Sequence, residues 1–157
     1  MQKIEYGNRV DYYYFAYGSN MDAAQMRARC PSARKVANGV VRGVCLVFNR
    51  RGTYRPGGVA SIEPCTPNSQ VHGIVWRLSA EDLQRLDDIE DPNAYRRELV
   101  RVWEVEADPI EAVTYRAIPE ADEITPDAEY LAIIITAAKE AGFPVNYLEM
   151  LERFRAV

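Results

Sequence analysis

Histidine and closely spaced cysteine are scarce in this chain, and their scarcity excludes several functions. One histidine, His72, and no paired cysteines leave no ligand set for a zinc site. The three cysteines, Cys30, Cys45 and Cys65, are odd in number and widely spaced. That pattern points to reduced thiols in a cytoplasmic protein rather than to a disulfide framework. There is no run of about 18 apolar residues, so no membrane-spanning helix is expected. The start, Met1-Gln-Lys-Ile-Glu-Tyr6, lacks the apolar centre of a signal peptide. Neither a P-loop nor a dinucleotide fingerprint occurs. Positive charge is also in deficit, with 19 Lys and Arg against 23 Asp and Glu and a net charge of −4. This balance argues against a general nucleic-acid or membrane-surface role.

What is present reads as one soluble domain over residues 1–157, with 1–9 a loose polar lead-in; 157 residues, 48% of them apolar and 27% charged, can bury a substantial core. Strands rich in Val, Ile, Tyr and Trp are expected at 10–17, 40–48, 58–63, 71–78, 95–106 and 111–118. Helices are expected at 22–29, 80–90, 126–141 and 147–154. Thr125-Pro126 is a start signal, Gly142 and Pro144 form a stop, and Asn146 with Glu149 resembles a capping box. Most strands fall between the first and third helices, without regular strand–helix alternation. The expected class is therefore α+β: a mixed, largely antiparallel, strongly curved β-sheet or small β-barrel with flanking helices.

Two segments carry chemical information. In Phe15-Ala-Tyr-Gly-Ser-Asn-Met21 an aromatic strand stops at three small or polar residues, and Asp22 to Arg29 then reads as a short helix, acidic at its start and basic at its end. A strand passing through such a turn into a helix gathers backbone N–H groups that favour an anion or a developing oxyanion. The same residues also suit an ordinary strand-to-helix connection.

The second segment is Leu78 to Pro92. Ser79 with Asp82 marks a helix start, and Pro92 ends the helix close by. At about 100° per residue, Leu86 lies about −60° and Glu90 about −20° from Leu83, whereas Asp88 lies near +140°. Glu90 is thus centred on the inward face, Asp88 is solvated, and Asp87 and Asp91 are at the border. A carboxylate on a buried face needs a reason. Burial and the negative helix end both raise its pKa, which suits a general base near neutral pH. The alternative is a frayed, solvated helix end.

Other clusters have simpler readings. The acids of 87–91 point in different directions and lack calcium-loop spacing. Cys65 and His72 have no third, orienting group, and His72 is expected to be a packed or edge residue. Arg50-Arg51-Gly-Thr-Tyr-Arg55-Pro-Gly-Gly58 reads first as a basic loop, and second as a flap carrying cations toward an anionic substrate. Gly57-Gly58 suits either a close backbone approach to a ligand or a simple turn. Tyr95, Tyr115 and Tyr130 suit core, rim or pocket positions.

Taken together, these segments resemble the γ-glutamylcyclotransferase family (γ-glutamylcyclotransferase-like, AIG2-like domains). The likeness rests on Phe15 to Met21, Gly57-Gly-Val-Ala-Ser-Ile62, Val71 to Leu78 leading into Leu86-Asp-Asp-Ile-Glu90, Tyr95, and Ala138 to Tyr147. It spans roughly residues 12–150 in order. It implies a cavity at the Tyr17–Asn20 turn, Glu90 as catalytic base, and Tyr17, Gly18, Ser19, Asn20 and Met21 enclosing a γ-glutamyl group, with Tyr95 beside them. The turn is closer to the γ-glutamyl-amino-acid and aminoglycoside branches than to the glutathione-specific branch, which typically has Leu after the Ser. One departure is Asp91-Pro92, where members commonly have Gly after the catalytic Glu; the added negative charge is expected to raise the pKa of Glu90 further.

The implied activity is intramolecular cyclisation of a γ-glutamyl amide or amine to 5-oxoproline with release of the amine. It needs no cofactor, because nucleophile and electrophile share one molecule. The competing readings are a non-catalytic small-molecule-binding or interaction domain on the same fold, and γ-glutamyl transfer or hydrolysis at the same site. The expected partner is a small γ-glutamyl substrate, with no nucleic acid or membrane, in a monomer or homodimer.

Overall fold

The aromatic run after Arg9 forms the central strand of a curved mixed sheet. In the computed structural model, which describes residues 1–156, the strands are β1 (Ile4–Tyr6), β2 (Arg9–Ala16), β3 (Arg34–Arg42), β4 (Val44–Arg51), β5 (Gly58–Pro64), β6 (Gln70–Ser79), β7 (Tyr95–Val102) and β8 (Ile110–Ala117). The helices are α1 (Ala23–Arg29), α2 (Ala80–Glu90), α3 (Ala128–Glu140) and α4 (Val145–Glu152). The main sheet runs β3-β6-β2-β8-β7, while β4 and β5 form a separate two-stranded ribbon. β6 lies antiparallel along one side of β2; on the other side β2 meets β1, antiparallel, and β8, parallel. The two ends of the sheet touch through reciprocal Val40–Trp103 backbone hydrogen bonds of 2.9 and 2.8 Å. Among the described residues no ladder continues that bridge, so the outcome is a curved sheet rather than a closed barrel.

Phe15, Trp76, Leu78, Val75, Val102, Leu83, Leu86 and Ile134 are fully buried and tie sheet to helices in one apolar cluster. α3 presents Leu131, Ile134 and Ala138 to it at helical spacing. Gly142, at φ 73°, ends α3 in a Schellman motif, with Phe143 N–H on Ala138 O and Gly142 N–H on Lys139 O. No described helix is long and apolar enough to cross a membrane.

Several expectations are corrected. Residues 1–9 are not a loose lead-in, because β1 pairs with β2 across a Gly7-Asn8 turn. That hairpin is mostly exposed and held by backbone bonds, so it leaves no apolar pattern to read. The strand expected at 40–48 is two strands, separated at Gly43, whose φ of 79° redirects the chain from the main sheet into the ribbon. The strand expected to run to 106 ends at Val102. Asn146 and Glu149 form no capping box, since α4 starts at Val145 behind Pro144 and has no side-chain cap. α3 is capped by Asp127, whose side chain accepts from Tyr130 N–H; Thr125 and Pro126 instead meet the β5 edge.

The cysteines also differ from expectation. Cys45 and Cys65 form a disulfide across the ribbon, with Cα atoms 5.6 Å apart. Hairpin pairing brings together two residues 20 apart, which no spacing rule would reveal. The cytoplasmic expectation therefore loses the support of three free thiols. Cys30 remains free and buried, and burial pushes its thiol up to about 11.

Candidate active site

Chain direction explains why Glu90 reaches the early turn. Because β6 is antiparallel to β2, its end at Ser79 lies beside Asp11. Ser79 caps α2 by accepting from Asp82 N–H, and the helix then runs back for 11 residues. Eleven residues rise about 16 Å, close to the roughly 17 Å that β2 spans from Asp11 to Ala16. The last residue of α2 therefore arrives level with the turn that follows β2.

A cleft of about 180 Å³ opens there, lined by Tyr14, Tyr17, Asn20, Arg29, Glu90 and Tyr95 among others. It is smaller than the roughly 300–1,000 Å³ of drug-sized pockets, which suits a small metabolite. Asn20 is its hub. Its Nδ2 donates to Glu90 Oε1 at 3.3 Å and to the Tyr14 hydroxyl at 3.1 Å. Its Oδ1 accepts from Gln25 Nε2 at 3.0 Å and Arg29 Nη1 at 2.9 Å, and its backbone carbonyl accepts from Trp76 Nε1 at 3.0 Å. Partners on both ends of the amide fix which way Asn20 points.

Glu90 is half-buried. Burial raises its pKa to about 7, with the nearby Arg29 guanidinium acting in the opposite direction. Asp91 does not add the expected push. Its backbone adopts φ 59°, and its Oδ1 accepts from Asn93 N–H at 3.0 Å in an Asx turn. Positive φ at this residue gives a physical reason for glycine after the glutamate, and the Asx turn lets aspartate occupy the same conformation.

The rest of the wall is aromatic. Tyr95 donates its hydroxyl to Ala60 O at 3.0 Å, and the Tyr130 hydroxyl accepts from Ala60 N–H at 2.9 Å. Tyr17 donates to the Tyr115 carbonyl. Burial raises the pKa of all these tyrosines and of Tyr14, so each remains a neutral hydroxyl.

The turn itself is a single 3-10 turn, Ser19–Met21. Met21 N–H is bonded to Gly18 O, and Met21 is buried away from the cleft, which corrects its place among the expected site residues. Gly18, Ser19 and Asn20 do line the cleft, and their N–H groups have no protein partner among the described residues. Tyr17 and Tyr95 also line it.

Of three further features at the cleft, the sequence reading misses Arg29 and leaves the other two open between core or loop and pocket. Arg29 looked like a charge suited to a helix end, yet it folds back on Asn20. Tyr115 and Tyr130 are pocket walls as well as core. Residues 51–55 between β4 and β5 line the cleft, whereas Arg50 turns away to Ile118 O and Glu120. Gly57 and Gly58 approach another chain segment rather than a ligand; a Cβ on Gly58 would lie 2.2 Å from Ile124 O.

The other candidates resolve into structural roles. His72 is half-buried, its ring 4.7 Å from that of Tyr147 and 5.6 Å from that of Phe143, and burial lowers its pKa. Cys65 is held in its disulfide. Asp87 bonds Arg97 and Tyr115, while Asp88 is exposed.

Comparison with known proteins agrees with this arrangement. Residues 14–132 match the sequence profile of the family described as "Gamma-glutamyl cyclotransferase, AIG2-like". The chain is 30% identical over 145 residues to the gamma-glutamylcyclotransferase of Homo sapiens, covering 88% of this chain and 76% of that one. It is 31% identical over 144 residues to that of Bos taurus, with the same coverage. A solved structure of a gamma-glutamyl cyclotransferase superposes with a TM-score of 0.87 at 28% identity, covering 94% of this chain and 89% of that chain.

Proposed function

Because the chain belongs to the gamma-glutamyl cyclotransferase, AIG2-like family of enzymes, we propose that it cyclises a γ-glutamyl amide or amine to 5-oxoproline and releases the amine, with Glu90 as general acid–base. The observation that carries this reading is a half-buried carboxylate of pKa about 7 in a small cleft, held by Asn20 beside backbone N–H groups that lack partners among the described residues.

The α-nitrogen of the substrate must lose protons before it can attack. A chain-terminal α-amine titrates near 8, and the free α-carboxylate of the substrate holds this proton more tightly; a carboxylate of pKa about 7 accepts it with far less cost than an ordinary glutamate would. The freed amine attacks the γ-carbonyl, forming the new C–N bond. Charge on the carbonyl oxygen is then stabilised by N–H groups of Gly18, Ser19 and Asn20. Collapse breaks the original C–N bond as Glu90 returns a proton to the leaving nitrogen. Across the cycle the α-nitrogen gives up two protons and the leaving nitrogen gains two, so no oxidant, reductant or second substrate is involved. The aromatic walls hold the extended substrate in its ring-closing shape.

The test is a panel of γ-glutamyl amino acids, γ-glutamyl amines and glutathione, assayed for 5-oxoproline and free amine in equal amounts. Free glutamate in place of 5-oxoproline identifies hydrolysis. Binding of 5-oxoproline with no amine release from any compound identifies a non-catalytic binder.

A further inference from the structure

Three arginines line the cleft and none forms an ion pair among the described residues; Arg29 is held by the Asn20 amide oxygen, which leaves Arg51 and Arg55. Arg51 and Arg55 line the cleft, and their side chains have no ion pair or hydrogen bond among the described residues. They are not free to wander. Gly52 N–H closes the loop onto Gly57 O at 3.0 Å, and Gly58 N–H ties its base to Thr125 O at 2.9 Å. Glu120 accepts from the Arg51 backbone N–H at 2.8 Å, which fixes where that side chain leaves the strand. The Arg55 guanidinium lies 4.8 Å over the Tyr130 ring, whose hydroxyl is anchored on Ala60. Stacking on an aromatic face leaves guanidinium N–H donors available at its edge.

Exposure gives the cleft a direction. Tyr14, Tyr17 and Asn20 are buried, whereas Arg51, Thr53 and Tyr54 on the loop are exposed. A γ-glutamyl head reacting at Glu90 occupies the buried end, beside Arg29 and the open N–H groups. Its leaving portion must then extend toward the exposed loop.

We propose that Arg51 and Arg55 are specificity-determining residues that grip a carboxylate on the leaving portion, so that γ-glutamyl amino acids and peptides are preferred over γ-glutamyl amines. This rests on the cyclisation reading above and deepens it by assigning the chemical class of the leaving group. A guanidinium fork matches a carboxylate in geometry and charge, and a neutral amine leaves both arginines without a partner.

The test compares γ-glutamylalanine with γ-glutamylethylamine, which has the same skeleton without the carboxylate. For the native protein the ratio of their kcat/KM values is expected to be ~10–100, the size of one or two charge-assisted hydrogen bonds. In the R51Q/R55Q double variant the ratio falls about tenfold or more, and R55K retains part of it. Raising salt also lowers the native ratio. A native ratio near one, or an unchanged ratio in the double variant, overturns the proposal; a merely distorted loop would slow both substrates together and leave the ratio unchanged. The same pair is titrated calorimetrically against the native protein and the double variant. If neither compound yields 5-oxoproline, the cyclisation reading fails, and the ratio of dissociation constants still decides this proposal. Equal affinity for the two compounds, or binding of neither, overturns it.

Discussion

Asn20 and Glu90, 70 residues apart in the chain, meet where the Asn20 amide donates to Glu90 Oε1 across 3.3 Å. One residue lies in the middle of the turn that follows the central strand, and the other ends a helix that has run back along that strand. Their contact places a carboxylate in aromatic, low-dielectric surroundings beside backbone donors that are unpaired among the described residues.

Glu90→Gln keeps the size and the Asn20 contact and removes the basicity. Turnover is expected to fall about 10²–10⁴-fold, measured as 5-oxoproline release under saturating substrate. Folding should persist and improve at high pH. Because the fold raises this pKa from 4.5 to about 7, the native state holds the proton more tightly than the unfolded chain does. The associated stability is present below pH 4.5 and is lost as pH rises through about 7, a change of at most about 3 kcal/mol. Urea melts of the two proteins should thus converge near pH 4 and favour the variant at pH 8.

The pH profile of kcat/KM should rise with a midpoint near 7 as Glu90 loses its proton. Arg29 lowers that midpoint through its charge, so Arg29→Gln should move it upward. A second limb above 8 belongs to the substrate amine, whose own α-carboxylate raises it, and should stay fixed in both proteins. An enzyme limb that does not move in the variant would remove Arg29 from the tuning of Glu90.

Asp91 occupies positive φ and holds its Asx turn through its side chain. Asp91→Ala loses that bond and keeps the unfavourable backbone, so it should cost about 1–2 kcal/mol in urea unfolding. Asp91→Gly loses the bond but gains backbone freedom suited to this angle, and should remain within about 0.5 kcal/mol of the native protein.

The Cys45–Cys65 bond closes a loop of 20 residues. The paired serine variant should lose about 3 kcal/mol of stability, since crosslinking a loop of this length restrains the unfolded chain by about that much. Intact mass after alkylation in denaturant without reductant should reveal one reactive thiol, Cys30.

Helical periodicity placed Glu90 on the face of Leu83 and Leu86, and the fold keeps it there because an 11-residue capped helix is set by local bonds. The turn at Gly18 to Asn20 was legible for the same reason, since small and polar residues after an aromatic strand leave the chain few conformations. Met21 was misread because its backbone N–H closes the turn instead of facing a ligand. The β1 hairpin left no trace because backbone pairing without burial imposes no apolar pattern. Asn146 was misread as a cap because Pro144 started the helix earlier.

The sequence alone determined the helix that carries Glu90, the turn that faces it and the α+β class, since each follows from the order of neighbouring residues. Only the tertiary structure decided that Arg29 reaches Asn20, that Tyr95 and Tyr130 share Ala60, that Arg51 and Arg55 border the cleft, and that Cys45 meets Cys65. Those meetings depend on strand order and on the path of the β4–β5 ribbon. Contacts between residues tens of positions apart are fixed by packing and chain direction, which local periodicity does not encode.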